Sequence, residues 1–210
     1  MTAPRRAQAG PWLQLLAVVA CTFALAGYDL RLAAVALVGF VAVWPPAVAW
    51  RPVAALAVLR VYLPFALLWF VAVTGYLQAL RAIGHAVAPQ PMLQELAAHG
   101  FAAPEVWPTI LGIVVVGPLA EEVLFRGYLF TALVTTLPAW VAHGATAVLF
   151  GLAHGLDYAL PIAVLALLFG WLRARHRALW PPVLAHMVHN GLTVSVVLLW
   201  PEILDALYPR

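Results

Sequence analysis

Three charged side chains lie inside one apolar stretch near the middle of the chain. In PLAEEVLFRG, residues 118–127, the adjacent carboxylates Glu121 and Glu122 precede Arg126. An unpaired charge at the centre of a membrane helix costs about 2.5–3.5 kcal/mol on insertion scales. Glu122 and Arg126 are four residues apart and share a helix face, which favours an ion pair. Glu121 points about 100° away, so we expect it to be the carboxylate that is available for chemistry.

Two later segments carry polar side chains at helical spacing. In LFGLAHG, Phe150 and His154 are four residues apart. In LAHMVHNG, His186 and Asn190 have the same spacing, and His189 lies on a neighbouring line. Together with the free carboxylate, two imidazoles and a carboxamide would supply a base, a proton carrier and hydrogen-bond donors. The set predicts a site that activates water and stabilises an oxyanion, with the contribution of His189 undecided.

The same residues also have structural interpretations. A buried Glu–Arg pair can simply join two helices, and single histidines in helices are usually packed and hydrogen-bonded. The histidines that we interpret in this second way are His85, His99, His143 and His176. A structural interpretation is weaker for the whole set, because three separate helices would each bear the cost of a buried polar group.

Other hydrolytic chemistries lack their sequence signatures. Ser195 is the only serine, and no glycine-flanked motif surrounds it. Asp29 follows Tyr28, as in some aspartyl proteases, but Asp157 lies in GLDY without a GxGD motif. The HExxH zinc motif is absent, and we expect no cofactor. A zinc site remains the less favoured alternative, and its ligands would be Glu121, His154, His186 and His189.

The composition indicates a membrane protein. Apolar residues make up 65% of the 210 residues, charged residues only 9%, and the mean hydropathy is +0.98, whereas soluble domains carry about 25% charged residues. We predict an all-α, polytopic helical bundle in a lipid bilayer, forming a single domain over 1–210. Within it, 1–105 would supply N-terminal spans and an outer loop, and 106–200 the catalytic core. The net charge is +3, but the basic residues do not form a stripe in which aromatic residues alternate with them. We therefore expect no nucleic-acid partner.

Apolar runs predict about seven to eight transmembrane helices around a polar intramembrane cavity. The predicted helices are 12–28, 31–50, 54–82, 106–135, 138–155, 158–175 and 180–200. Gly117-Pro118 should kink the fourth helix, and the loop 84–104 contains PMLQELAAHG, which fits a short interfacial helix. Arginines cluster at the N-terminus and at 173–177. The positive-inside rule places both in the cytoplasm and the 84–104 loop outside.

This topology creates a conflict of depth. His154 would end one helix at the outer side, while His186 would begin another near the cytoplasm. At 1.5 Å per residue, the two imidazoles would differ in depth by roughly 10 Å or more. If they share a site, a span must be broken, tilted or re-entrant, and the candidate positions are Gly117-Pro118 and Pro161.

Three ordered motifs resemble those of a known family. EEVLFRG fits EExxxR, FGLAH fits FxxxH and HMVHN fits HxxxN, and together they resemble the CPBP (CAAX protease and bacteriocin-processing, Abi) family of intramembrane proteases, over roughly residues 106–192. The resemblance implies glutamate-type hydrolysis of a peptide bond inside the bilayer. The substrate would be a membrane-anchored protein or peptide, cut near its C-terminus or membrane segment.

Each motif residue acquires a role from this resemblance. Glu121 with His154 would activate the attacking water, and His186 with Asn190 would stabilise the oxyanion. Supporting roles fall to Glu122, Arg126 and Phe150. The implied location is a bacterial inner (plasma) membrane, crossed several times. A non-enzymatic transporter or bacteriocin-immunity protein, using the same polar cluster as a proton or ligand site, is the alternative.

Overall fold

The structure is a computed structural model that describes residues 10–26, 30–100, 103–104 and 106–208. The N-terminal arginines Arg5 and Arg6 and the expected break at Tyr28-Asp29 lie outside these ranges. Every named element in the described residues is a helix, which confirms the all-α prediction.

Seven of the helical segments correspond to the predicted helices. They are α1 (Pro11–Ala26), α2 (Leu30–Val43), α3 (Ala55–Ala82), the composite helix (Val106–Leu133), α8 (Ala139–Leu152), α9 (Leu156–His176) and α10 (Trp180–Leu199). Two short helices accompany them, α4 (Pro91–His99) and α11 (Ile203–Leu207). The first of these is the short helix expected in the 84–104 loop, and the second was not predicted.

Four helices in the described ranges are long and apolar enough to cross a membrane, judged by length and composition. They are α3, the composite helix, α9 and α10. Shorter apolar helices cover Pro11–Thr22 and Ala139–Leu152. The chain is therefore a helical membrane bundle, in which some of the expected spans are shorter than a full crossing.

The second helix ends earlier than predicted. We expected it to reach residue 50, but α2 ends at Val43. Pro45 and Pro46 follow almost at once, and proline has no N–H to continue the helical ladder and disfavours helical geometry in the residue before it. The prediction followed hydropathy and gave these two prolines too little weight.

The composite helix changes its hydrogen-bond register twice. It consists of α5 (Val106–Leu111), π1 (Gly112–Val116), α6 (Gly117–Glu122), π2 (Val123–Leu129) and α7 (Phe130–Leu133). In π1 the Gly117 N–H donates to the carbonyl of Gly112, and in π2 the Phe130 N–H donates to that of Phe125. These are bonds five residues apart, as in a π-helix. The break expected at Gly117-Pro118 thus takes the form of a π segment, and both glutamates lie on the α segment between the two.

Helix α9 continues through its internal proline. Pro161 has no N–H, so the carbonyl of Asp157 loses its normal donor. The Tyr76 hydroxyl on α3 donates to that carbonyl at 3.0 Å, and the Trp69 indole N–H donates to the Pro161 carbonyl at 2.8 Å. Helix α3 therefore supports α9 at the position where the sequence suggested a break.

Helices α8 and α9 form a tightly packed hairpin. Gly151 on α8 lies so close to α9 that an added Cβ would collide with the carbonyl of Ala159. Gly170 on α9 faces the ring of His143 in the same way. Small residues allow such close helix contact in membranes. His154 lies in the turn that joins the two helices of this hairpin.

Candidate active site

The predicted ion pair is present and fully buried. Arg126 Nη1 donates to Glu122 Oε1 at 2.8 Å, and the two side chains are 1% and 0% exposed. The Arg126 Nη2 donates to the Ala166 carbonyl on α9 at 3.0 Å, and the guanidinium lies 4.4 Å from the centre of the Phe150 ring. The pair therefore joins the composite helix to both helices of the α8–α9 hairpin.

Glu122 has a second partner that the sequence did not reveal. His186 Nδ1 on α10 lies 3.1 Å from Glu122 Oε1, and a carboxylate paired with arginine can only accept. The Nδ1 of His186 therefore carries the proton, and in the neutral ring Nε2 is the acceptor. The imidazole also stacks on Phe169, with ring centres 4.8 Å apart. Glu122 thus fixes both the orientation and the tautomer of His186.

The tautomer of His154 is fixed by backbone. Its Nδ1 lies 2.8 Å from the Phe150 carbonyl, which can only accept, so Nδ1 is protonated and Nε2 is free to accept. The His154 and Phe150 rings lie 4.8 Å apart. Because the two residues are four positions apart, the imidazole of His154 can donate to the backbone carbonyl of Phe150 in the last turn of α8.

The two imidazoles converge on one oxygen of Glu121. His154 Nε2 and His186 Nε2 each lie 3.8 Å from Glu121 Oε2. That oxygen is buried and has no hydrogen-bond partner among the described residues. A separation of 3.8 Å is too long for a direct hydrogen bond and allows one water molecule to bond both atoms. The side chains of Glu121 and His154 are 35% and 26% exposed, so the site is partly open.

The expected conflict of depth does not keep His154 and His186 apart. Helix α8 has 14 residues, which corresponds to about 21 Å at 1.5 Å per residue. A full span needs about 30 Å. The turn after α8 can therefore lie within the bundle, and both imidazoles reach the same carboxylate without a broken α9.

Asn190 and His189 make contacts away from Glu121. Asn190 Nδ2 donates to the Ile113 carbonyl in π1 at 2.8 Å. His189 Nδ1 bonds the Tyr62 hydroxyl at 3.0 Å, and its ring lies edge-on to Trp69 at 4.7 Å. His189 is thus packed against α3, and it is separate from the glutamate and the other two histidines.

The four-residue zinc set considered from the sequence is therefore not assembled. Glu121, His154 and His186 converge, whereas His189 is bonded to α3. Within the described ranges, no group of three or more His, Cys, Asp or Glu side chains has an arrangement that could hold a metal ion. Three acceptor atoms, from Glu121, His154 and His186, remain close together at Glu121.

The described residues thus form an apolar helical bundle that buries a Glu–Arg pair and directs two imidazoles at a second glutamate. Residues 103–192 match the family model described as type II CAAX prenyl endopeptidase Rce1-like. This part of the chain contains all three motifs and every residue of the site. The central and C-terminal part of the chain is therefore similar to this family, and the similarity covers the three motifs.

A curated protein is also similar to part of the chain. The protein named "Putative membrane peptidase YdiL" of Bacillus subtilis (strain 168) is 33% identical over 85 residues, which are 40% of this chain. The match spans only 35% of that protein's length. No solved structure matches the chain.

Proposed function

We propose that this protein is an intramembrane endopeptidase that hydrolyses its substrate with a water molecule activated by Glu121 and His154. The observation that carries the proposal is the convergence of three acceptor atoms, namely Glu121 Oε2, His154 Nε2 and His186 Nε2. Three hydrogen-bond acceptors that face one another are left unsatisfied unless a hydrogen-bond donor lies between them. Water has two hydrogens to donate and retains a lone pair for attack on a carbonyl.

The chemistry then follows from the tautomers. Glu121 accepts a proton from water as the oxygen attacks the scissile carbonyl carbon, and His154 holds the water through Nε2. The C–O bond forms, the C–N bond breaks, and the leaving amine takes the proton that Glu121 received. The hydroxyl of the water stays on the new carboxyl group.

His186 is suited to stabilise the oxyanion. Its Nδ1–H donates to the buried carboxylate of Glu122, which holds the ring with Nε2 directed toward Glu121, much as the Asp orients the His in a Ser-His-Asp triad. For Nε2 to donate to the oxyanion, the neutral His186 must take up a proton from solvent when substrate binds and release it with the product. The Asn190 amide uses one hydrogen in its bond to the Ile113 carbonyl. Its second hydrogen is free to donate to the oxyanion.

Peptides in membrane-associated proteins are the substrate class that fits best. The family domain and the name of the relative both refer to peptidases, and the partly exposed Glu121 lies among apolar helices. The bond cleaved would lie near the C-terminus or within a membrane segment of a substrate that reaches the site through the bilayer. Because the match spans about a third of the relative's length, this activity is our proposal for the present chain.

Comparative mass spectrometry of membrane proteins tests the function. Cells that express the wild-type chain, cells that express the Glu121→Gln variant and cells without the chain are compared for new protein termini. We expect defined cleavage products only with the wild type. Identical termini in all three, despite equal amounts of folded protein, would contradict a protease and favour a transporter or immunity protein.

We further propose that hydrolysis proceeds without a resident metal, because the glutamate and imidazoles can activate water unaided. Purified protein is expected to cleave its substrate at an unchanged rate after exhaustive chelation. Loss of activity that zinc restores, together with stoichiometric metal by elemental analysis, would establish the metal mechanism instead.

We propose a plasma-membrane location, and the arginine distribution favours a cytoplasmic N-terminus. Arg51 donates to the His176 carbonyl at 2.8 Å, so the loop before α3 and the end of α9 lie on the same side, as the positive-inside count requires. With Cys21 replaced by alanine, a single cysteine at position 90 is expected to react with an impermeant reagent from outside. Reaction only from the cytoplasmic side would reverse the orientation.

A further inference from the structure

At the end of each π segment of the composite helix, the series of backbone hydrogen bonds passes over one carbonyl. In a π segment, the donor is five residues beyond its acceptor, whereas in an α segment it is four residues beyond. Where a π segment returns to α, the ladder therefore passes over one carbonyl. A buried carbonyl without a partner destabilises the fold, so a side chain or water must supply a donor.

The carbonyl passed over in π1 is that of Ile113. Gly117 donates to Gly112, and the next residue, Pro118, has no N–H that could donate to Ile113. The Asn190 carboxamide on α10 donates to this carbonyl at 2.8 Å. Asn190 therefore closes the hydrogen-bond gap on the N-terminal side of the glutamates.

The carbonyl passed over in π2 is that of Arg126. Phe130 donates to Phe125, and the helix returns to α geometry from Phe130 onward. The Nε of Arg173 on α9 donates to the Arg126 carbonyl at 2.9 Å. Arg173 therefore closes the corresponding gap on the C-terminal side of the glutamates.

Arg173 is held in this position by two further contacts. Its Nη2 lies 3.3 Å from the Thr131 hydroxyl oxygen, and its guanidinium lies 4.2 Å from the centre of the Phe130 ring. All three contacts are on the segment where π2 becomes α7. The side chain is thus matched to the geometry of that transition, and its charge is not the only reason for its presence.

We propose that Arg173 and Asn190 are positioning residues that hold the two π segments open and so fix the direction of Glu121 and Glu122. This inference rests on the proposed hydrolytic function. If either π segment converted to α geometry, its backbone hydrogen bonds would shift by one residue. The helix on one side of the segment would then rotate by about 100° relative to the helix on the other side. Such a rotation at π1 would turn both glutamates relative to the residues before them, and at π2 it would turn them relative to α7, so Glu121 would lose its alignment with His154 and Glu122 its alignment with His186.

The proposal gives Asn190 a role besides the one implied by the family motif. Its carboxamide binds the backbone of the helix that carries the two glutamates. His186 lies one turn earlier on the same helix as Asn190, α10. Arg173 is outside all three motifs, and it lies on the helix whose Ala166 carbonyl accepts from Arg126. Helices α9 and α10 thus each fix one end of the glutamate segment.

Steady-state kinetics of Arg173→Gln test the proposal. We expect kcat to fall by about 10- to 100-fold with KM nearly unchanged, because the reacting groups are misplaced while substrate binding surfaces remain. Arg173→Lys, which keeps one donor, is expected to recover part of kcat. The matched control is Arg175→Gln, which removes an exposed arginine from the same helix end and is expected to behave as wild type.

Hydrogen exchange separates this idea from the proposed function, because it needs no activity. In Arg173→Gln we expect faster amide exchange confined to 123–133, and in Asn190→Asp the same over 112–118, with no such change in Arg175→Gln. This pattern in a chain without protease activity would keep the positioning role and reject the function. An active wild type whose Arg173→Gln variant keeps both kcat and the exchange pattern would overturn the positioning role. Faster exchange throughout the bundle would also overturn it, because the effect would then be general destabilisation.

Discussion

Replacing Glu121 with glutamine is expected to lower single-turnover cleavage by about 10²- to 10⁴-fold, the range typical of a lost general base. Glutamine keeps the shape of the side chain, but its amide cannot accept a proton from the attacking water. The fold should be little affected, because the Glu121 neighbours are imidazoles at 3.8 Å and its Oε2 has no hydrogen-bond partner among the described residues. In this variant the cleavage rate should therefore fall while the thermal stability stays close to that of the wild type.

The measurement combines single-turnover cleavage with thermal unfolding in detergent. Glu95→Gln is the matched control, since it makes the same chemical change at an exposed position on α4. It is expected to leave both quantities unchanged. A Glu121→Gln protein that turns over at the control rate would remove Glu121 from the mechanism, whatever the fate of the other residues.

The parts of the site that could be predicted are those that depend on local helical spacing. Glu122 and Arg126 pair because they are four residues apart on one helix, and this holds in the structure. The approach of His154 and His186 to Glu121 was expected from the cost of placing polar groups in membrane helices. The family motifs pointed to the same residues.

Contacts that depend on how helices cross could not be predicted. The bond between His186 and Glu122 requires α10 to lie against the composite helix at one register, and the sequence of neither helix encodes that register alone. The same reason left His189 undecided, because its partner Tyr62 is 127 positions away. The assumed role of Glu122 as a partner of Arg126 was therefore incomplete, since it also orients a histidine.

The π segments differ in how visible they are in the sequence. The first is followed by Gly117-Pro118, and the proline signals an interruption of the ladder there. The second, VLFRGYL, contains only Gly127 as a weak signal. Its geometry depends on Arg173, which lies 47 positions along the chain from the carbonyl that it binds. A local pattern cannot reveal a helix irregularity that is stabilised by a distant side chain.

Removing Arg126 is expected to have the largest effect on stability. Arg126→Met leaves the Glu122 carboxylate fully buried with only the neutral His186 as a donor. Breaking a buried ion pair from one side costs about 3–5 kcal/mol, so we expect a fall of that size in the free energy of unfolding. Glu122→Gln should cost less and keep partial activity, because its amide oxygen still accepts from both Arg126 and His186.

The double variant Glu122→Leu/Arg126→Met tests whether the penalty comes from an unpaired charge. With neither charge present, its free energy of unfolding should exceed that of Arg126→Met, while cleavage should stay low because His186 has lost the carboxylate that orients it. Equilibrium unfolding in mixed micelles and single-turnover cleavage are measured for the four proteins of the cycle, namely the wild type, Glu122→Leu, Arg126→Met and the double variant. Strictly additive losses of stability would show that the two side chains do not stabilise each other. A double variant with wild-type turnover would show that Glu122 has no part in positioning His186, and the role of Glu122 would then be limited to joining helices.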